Sequence, residues 1–222
     1  MAELLMITCA LPGRLARRLV ASRGGVALTE FALALPLLLT LSLTGAELTN
    51  YIITRMRLSQ LALHLADNSA RVGLGGRREA KKVNEADIED LFTGADYQSG
   101  ELDLLENGRV ILSSLEPMAT GTLARIRWQR CKGAKPHASS YGIQGDENLN
   151  GIGPTGRRAM VLPDGVTMFV EVYYEYTPLV SERLVPSRTM IEIASMMVRE
   201  RRNTGGPNNG IFTSPGVTPS TC

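Results

Sequence analysis

The sequence predicts an α+β fold in which one long amino-terminal helix packs on a small antiparallel β-sheet domain. Three observations predict it: an apolar run near the amino end, a three-to-four spacing of apolar residues after it, and four later segments rich in β-branched and aromatic residues. The 222 residues are 44% apolar and 21% charged, enough to bury the core of one domain. The net charge of +2 argues against a nucleic-acid-binding protein.

The amino end combines a basic leader with a segment long enough to cross a membrane. Residues 1–25 carry four arginines and one glutamate, and residues 26–46 hold Glu30 as their one charge. A helix of this length spans about 31 Å, close to the ~30 Å hydrocarbon thickness of a bilayer. Because basic residues stay on the cytoplasmic side of a span, we expect the leader in the cytoplasm and everything after residue 46 outside it.

Three interpretations of this segment are open. A secretory signal peptide would be cut after Ala46, although a carboxylate such as Glu30 is unusual in its apolar part. A plain uncleaved anchor needs only the hydropathy. The third interpretation accounts for Glu30, because Gly25, four uncharged residues, Glu30 and an apolar run resemble the processing site of type IV prepilins. The resemblance implies a cut between Gly25 and Val26 by a prepilin peptidase, and a Glu30 that pairs with an α-amino group and sets the register of subunits in a fibre.

A longer pattern is more specific. The order GG, VALTEFALALPLLL, Glu47 and LADNSARVG resembles the amino-terminal segment of TadE/TadG-like proteins, the pseudopilins of tight-adherence (Flp, type IVc) pili. Pro36 belongs to the same pattern, and a proline that bends the axis is tolerated better in a membrane helix than in a soluble one. The later segments RIRWQRCKG, VEVYYEYTPLV and TMIEIASMMVRERR resemble the carboxy-terminal portion of these proteins, although none of them is diagnostic.

This resemblance implies a pilin-like fold and a minor pilin or pseudopilin that takes part in pilus assembly and so in surface attachment. It implies a single-pass protein of a bacterial inner membrane, with its carboxy-terminal domain in the periplasm, or outside the cell if it enters the fibre. The implied partners are the prepilin peptidase, other pilin and pseudopilin subunits, the inner-membrane assembly platform and the bilayer. The alternative is a single-span periplasmic protein or a secreted enzyme, but no serine, cysteine or paired-carboxylate constellation in the sequence supports an enzyme.

The helix is expected to continue past the membrane through residues 47–73. Apolar residues recur there at helical spacing and predict one buried face: Leu48, Tyr51, Ile52, Leu58, Leu61, Ala62, Leu65 and Val72. Glycines at 73, 75 and 76 then end the helix.

Residues 74–222 are expected to form a strand-rich domain with a Gly/Pro-rich tail. A short helix is predicted over 84–92, capped by Asn84, and strands over 109–115, 122–130, 166–176 and 189–198. Alternation in the second strand places Ala124, Ile126 and Trp128 on one face. Alternation in the third strand places Glu171 and Glu175 on a solvated face, opposite to the apolar residues of the same strand. We therefore expect one face of the sheet to meet the long helix and the other to face water.

Two of the three cysteines are candidates for a disulfide bond. Cys9 would leave with the leader, whereas Cys131 ends a strand and Cys222 ends the chain, and both would lie in the periplasm, where disulfides persist. A Cys131–Cys222 bridge would hold the tail after residue 205, which has no packing signal of its own. Free or intermolecular thiols are the alternative.

A weak calcium candidate lies between the second and third strands. Asp146, Asn148 and Asn150 match the opening of a calcium loop, but Arg157 stands where the final carboxylate should be, and these residue types also make ordinary turns. His64 and His137 have no acidic or cysteine partner at ligand spacing. The sequence therefore predicts no metal site and no cofactor.

Overall fold

Helix α1 runs without interruption from Gly24 to Arg71 in the computed structural model, which describes residues 24–76, 79–119 and 123–222. The helix ends just before Gly73, whose φ of +119° L-residues rarely adopt. The chain divides into two units, Met1–Ala46, of which residues 24–46 are described, and Glu47–Cys222. The predicted α+β fold, a long apolar helix followed by a small antiparallel sheet, is confirmed.

The sheet contains the four predicted strands, each within two residues of its expected bounds. They are β2 (Gly108–Pro117), β3 (Ala124–Lys132), β4 (Thr167–Glu175) and β5 (Thr189–Met197). Their spatial order is β3-β2-β4-β5 and every neighbouring pair is antiparallel. A separate parallel pair joins β1 (Val83–Asn84) to β6 (Ile211–Phe212), so the tail of the chain is tied to the start of the domain.

The remaining elements are short, apart from helix α2 (Glu85–Ser99). Helices α3 (Leu104–Asn107) and α4 (Pro207–Gly210) have one turn each, and 3₁₀ turns lie at Gly100–Leu102 and Glu182–Leu184. Asn84 is the N-cap of α2 as predicted, and its N–H donates to the Asp87 carboxylate over 2.9 Å. The helix continues seven residues past the predicted end at residue 92, because Ala95 and Ser99 extend its buried face.

The main core lies between the sheet and one face of α1. That face carries Tyr51, Leu58, Leu61, Ala62 and Leu65, all buried as predicted. It packs with α2 residues such as Phe92 and with the side chains of β4 that point the same way: Met168, Val170, Val172 and Tyr174. Leu48 and Ile52 were expected on this face but are 38% and 55% exposed, because they lie about 85° and about 125° around the helix from the centre of the buried row.

The opposite face of the sheet is buried too, although the alternation in its strands predicted that it would face water. The chain between β3 and β4 folds over it and forms a second core cluster with Leu115, Ala124, Ile126, Ile152, Ala159 and Phe169. Glu171, predicted to be solvated, is 0% exposed. Alternation alone cannot show whether the second face of a sheet meets water or a long connection, and here it meets the connection.

The faces predicted for the side chains of β3 were also wrong, because the strand contains a β-bulge. Ser114 pairs with Trp128 whereas Leu115 pairs with Ile126, so Arg127 is an extra residue in β3. The extra residue changes the side on which the following side chains lie. Trp128 therefore joins the main core, while Ala124 and Ile126 join the second cluster, although strict alternation predicted one face for all three.

The two ends of β4 lie at opposite ends of the part of α1 that follows residue 46. Near the end of β4, Tyr176 contacts Glu47. Near its beginning, Val198 donates to Val166, and Arg202 reaches the last carbonyls of α1. The β4–β5 connection is therefore close to residue 47, and the start of β4 is close to residue 72.

Candidate functional site

The scissile bond predicted by the prepilin resemblance lies in the first turn of α1. Gly25 and Val26 are both exposed. Among the described residues no atom lies within 4 Å of the place that a Cβ on Gly25 would occupy. A glycine in a helix costs roughly 0.5–1 kcal/mol relative to alanine. Packing within this unit therefore does not explain the glycine at position 25.

Glu30 lies one and a half turns further along α1, in its exposed apolar part. Within residues 24–76, 79–119 and 123–222, its carboxylate has no hydrogen bond or ion pair. Pro36 follows inside the same helix. Its ring cannot donate the usual backbone hydrogen bond, and Thr40 adds a side-chain bond to the Leu37 carbonyl over 2.9 Å in the next turn.

The second carboxylate of α1, Glu47, has the opposite environment. It is 0% exposed and accepts hydrogen bonds from the Tyr176 hydroxyl over 2.7 Å and from the Val180 N–H over 2.6 Å. Burial alone raises the pKa of a carboxyl group, but the bonds from Val180, Tyr176, Leu179 and Ser181 together outweigh it, and the pKa of Glu47 is lowered from its ordinary 4.5. Glu47 is therefore a buried anion stabilised by donors of its own domain.

Tyr176 also contacts the next turn of α1. Asn50 donates its side-chain amide to the Tyr176 oxygen over 2.7 Å, and the rings of Tyr51 and Tyr176 meet edge to face, 5.3 Å between centroids. Burial, and then the bond to Glu47, raise the pKa of Tyr176 to about 12. The hydroxyl therefore stays protonated and remains a donor to Glu47 throughout the physiological range.

The tail is held by the disulfide that the sequence predicted. Cys131 and Cys222 are bonded, with their Cα atoms 4.9 Å apart. The Cys131 N–H also donates to the Ser220 carbonyl over 2.8 Å, and Arg127 donates to the carbonyls of Asn209 and Thr204. The tail thus runs along edge strand β3, and it covers part of the backbone of β3 that has no neighbouring strand.

A buried ion pair lies beneath this tail. The Arg130 guanidinium donates through Nε to Glu85 Oε2 over 3.0 Å and through Nη2 to Oε1, and their side chains are only 6% and 2% exposed. Arg130 Nη1 also donates to the Gln129 carbonyl and to Gln144. The pair joins the first residue of α2 to β3, and a cleft of about 620 Å³ opens between it, the tail and residues 137–144.

Glu171 is the centre of a further polar cluster on the outer face of the sheet. Its carboxylate accepts from the Ser139 hydroxyl over 2.8 Å and the Ser140 N–H over 3.1 Å, and its Oε1 lies 3.1 Å from His137 Nε2. The His137 ring stacks on Tyr173, 4.2 Å between centroids. His137 thus has the acidic partner that its sequence spacing did not reveal, because the partner lies 34 residues away on a strand.

The calcium candidate is built as turns. Asp146 accepts the Ile143 N–H over 2.9 Å, Asn148 has a left-handed φ of 57°, and Leu149 bridges to Ala124. In the described parts of the chain no three or more His, Cys, Asp or Glu side chains are grouped so that they could hold a metal ion. The carboxylate of Asp146 is engaged by its own loop, and Asn150 lies in the same run of turns.

The first 23 residues of α1, residues 24–46, are apolar and mostly exposed, and α1 is long and apolar enough to cross a membrane. Together with Gly25 and Glu30, this is the arrangement that the prepilin resemblance predicts. Residues 25–67 match the family model described as TadE-like protein. The predicted resemblance is thereby confirmed for this segment. The chain matches no curated protein, and it matches no solved structure.

The TadE-like segment, residues 25–67, begins at the predicted processing glycine and includes Val26, Glu30, Pro36 and Glu47. TadE-like proteins are pilus components and are not a known enzyme family. The segment ends before the sheet. The resemblance inferred for the strands therefore lies outside the match and stays a prediction, as do the roles of Gly25 and Glu30.

Three contacts in the domain after residue 46 were missed by sequence reasoning: Glu85–Arg130, Glu171–His137 and the contact of Arg202 with the end of α1. Only the Glu85–Arg130 contact had a local signal in the sequence. Glu85 directly follows the N-cap Asn84, and the helix dipole favours an acidic residue there. The other two depend on residues that the topology brings together.

Proposed function

We propose that this protein is a minor pilin or pseudopilin of a tight-adherence pilus, processed after Gly25 and held in the bacterial inner membrane by residues 26–46 until assembly. The observation that carries the proposal is the match of residues 25–67 to TadE-like proteins. The partners are the prepilin peptidase, other pilin and pseudopilin subunits, and the assembly platform in that membrane. The domain after residue 46 lies in the periplasm and contributes to surface attachment.

The position of the cut is supported by helix geometry. The Gly25–Val26 bond lies in the first turn of α1, where backbone N–H groups have no partner within the helix and the turn opens easily. The bond after Ala46, where a signal peptidase would cut, lies in the middle of the same helix and directly precedes the wholly buried Glu47. A protease that needs an extended substrate would have to unfold the start of the domain there.

The two carboxylates of α1 support different roles. Glu47 is fully hydrogen-bonded inside its own domain, so a structural role explains it. Glu30 is exposed in an apolar segment, and the described residues provide no partner for it. A carboxylate in hydrocarbon is costly unless it is paired. The α-amino group that processing creates on a neighbouring subunit would supply the pairing charge.

Intact-mass analysis of protein extracted from membranes, with and without the prepilin peptidase, tests the proposal. The expected mature chain begins at Val26, and only when the peptidase is present. A chain beginning at Glu47 would indicate a secreted protein, and an uncut chain in the presence of active peptidase would indicate a plain anchor. Both results would contradict the proposal.

A second experiment tests the role of Glu30. Glu30→Ala is expected to enter the membrane normally and to reduce piliation strongly, whereas Glu30→Asp, which keeps the charge, should restore part of it. Normal piliation by Glu30→Ala would contradict the role of Glu30 in setting the register of subunits, but it would not contradict the proposed processing after Gly25.

A further inference from the structure

The connection between β4 and β5, residues 177–188, is attached to the start of the domain through Glu47. The Val180 N–H lies 2.6 Å from Glu47 Oε2, and Tyr176, the residue just before this connection, bonds the other oxygen. The backbone of the neighbouring Leu179 and Ser181 also helps to lower the pKa of this carboxyl group. These contacts place residues 178–181 at the level of residue 47 along α1.

Residue 47 directly follows the predicted membrane span of residues 26–46. With a rise of about 1.5 Å per residue, Glu47 lies at the boundary between the hydrocarbon and a headgroup layer that is about 5–7 Å thick on each side. A carboxylate tolerates this position because donors of the protein replace water around it. Residues 178–181, being in contact with it, lie at the same boundary.

The tip of this loop, residues 178–180, is apolar, and the three residues after it are polar or charged. Leu179 is 68% exposed and Val180 is 42% exposed, next to Pro178. On α1, Leu48 and Ile52 are exposed at the same level, within about 8 Å of residue 47 along the helix axis. Arg183, three residues after Val180, is also exposed. Glu182 precedes it, but its carboxylate pairs with Arg188 over 2.8 Å. An apolar tip followed by a basic side chain is typical of segments that rest in a membrane interface.

We propose that residues 178–180 insert into the headgroup–acyl boundary of the periplasmic leaflet, with Arg183 at the level of the lipid phosphates. The ligand is the lipid surface itself. This proposal rests on the proposed anchoring by residues 26–46. It gives the domain a second contact with the membrane, beside the helix, which would hold it in one orientation until the subunit leaves the bilayer.

Spin-label depth measurements on the full chain test this contact. The chain carries Cys9→Ser, keeps the Cys131–Cys222 bond oxidised, and is reconstituted in nanodiscs of phosphatidylethanolamine and phosphatidylglycerol. A nitroxide is attached at Leu179→Cys, and its collision rates with oxygen, which concentrates in lipid, and with a water-soluble nickel complex are compared.

Two control positions have similar exposure. Leu38, in the span, is 53% exposed, and Leu162, close to the start of β4, is 54% exposed. The two ends of β4 are about 27 Å apart, so Leu162 is expected in water. Unchanged Trp128 fluorescence in each labelled protein shows that the domain is folded.

The expected result is an oxygen-to-nickel collision ratio at position 179 that exceeds the ratio at position 162 severalfold and approaches that at position 38. Equal ratios at 179 and 162 would overturn the lipid contact while leaving the anchoring intact. A label at 179 that is shielded from both reagents would indicate a protein partner, and would also overturn it. A water-like ratio at position 38 would refute the anchoring and the loop proposal together.

Discussion

Replacing Glu85 with glutamine should destabilise the domain strongly, because this carboxylate is the ionic partner of the buried Arg130 guanidinium. The variant leaves the Arg130 charge buried among neutral acceptors, which are the amide oxygen at position 85, the Gln129 carbonyl and Gln144, and it turns the second oxygen at position 85 into a donor facing the guanidinium. Removing one partner of a buried pair costs about 3–5 kcal/mol. With an m-value of about 2 kcal/mol/M, the midpoint of urea unfolding should fall by about 1.5–2.5 M.

The matched control is Glu192→Gln, which breaks the Arg55–Glu192 pair, where the arginine side chain is 61% exposed. An exposed pair contributes about 0–1 kcal/mol, so the midpoint should move by less than about 0.5 M. The double variant Glu85→Leu/Arg130→Met should recover most of the loss, because no uncompensated charge remains.

Unfolding of the full chain in detergent can be followed by the fluorescence of Trp128, the one tryptophan, which is buried two residues from Arg130 on β3. Equal midpoint shifts for Glu85→Gln and Glu192→Gln would refute the reasoning. So would a double variant that is no more stable than Glu85→Gln, since the loss would then come from packing and not from an unpaired charge.

Cys222→Ser opens a covalent loop with a sequence separation of 91 residues, should lower stability by about 4–5 kcal/mol, and should speed chymotrypsin cleavage after Phe212 relative to the oxidised wild type. Glu47 has a lowered folded-state pKa, so its stabilisation is fully present above pH 4.5 and is lost as the pH falls through that lowered value. Glu47→Gln should therefore be less stable than wild type at pH 7 and approach it in acid; a constant difference between pH 7 and pH 2 would contradict this. Arg202 donates to three carbonyls at the end of α1, and burial lowers its pKa only to about 10, so it is charged at neutral pH. Arg202→Met should cost about 1–3 kcal/mol and speed hydrogen exchange in the last turn of α1, and unchanged exchange there would argue against a capping role.

Most of the secondary structure could be predicted because its signals are local. The apolar spacing after residue 47 identifies Leu58, Leu61 and Leu65 as one buried row, and Gly73 marks the end of the helix. Alternating β-branched and aromatic residues identify the strands within two residues. The disulfide was also predictable, since only two cysteines remain after the leader and the tail has no other packing signal.

The faces of the sheet were less predictable. The bulge at Arg127 depends on how β2 and β3 pair, and no local signal in β3 distinguishes it from a regular strand. The burial of Glu171 depends on a connection of more than thirty residues folding back over the sheet, so a charged residue that alternation assigned to solvent lies in a polar cluster.

By itself, the sequence determined the order of the parts: a basic leader, an apolar segment with one charge at Glu30, a helix with one buried row, and strands with a tail that ends in Cys222. These follow from periodicity, charge and residue type, which act over a few neighbouring residues. Only the tertiary structure decided that two carboxylates of one helix, Glu30 and Glu47, differ so completely in their environment. The donors that bury Glu47 come from residues about 130 positions away, and only the folded sheet brings them to it.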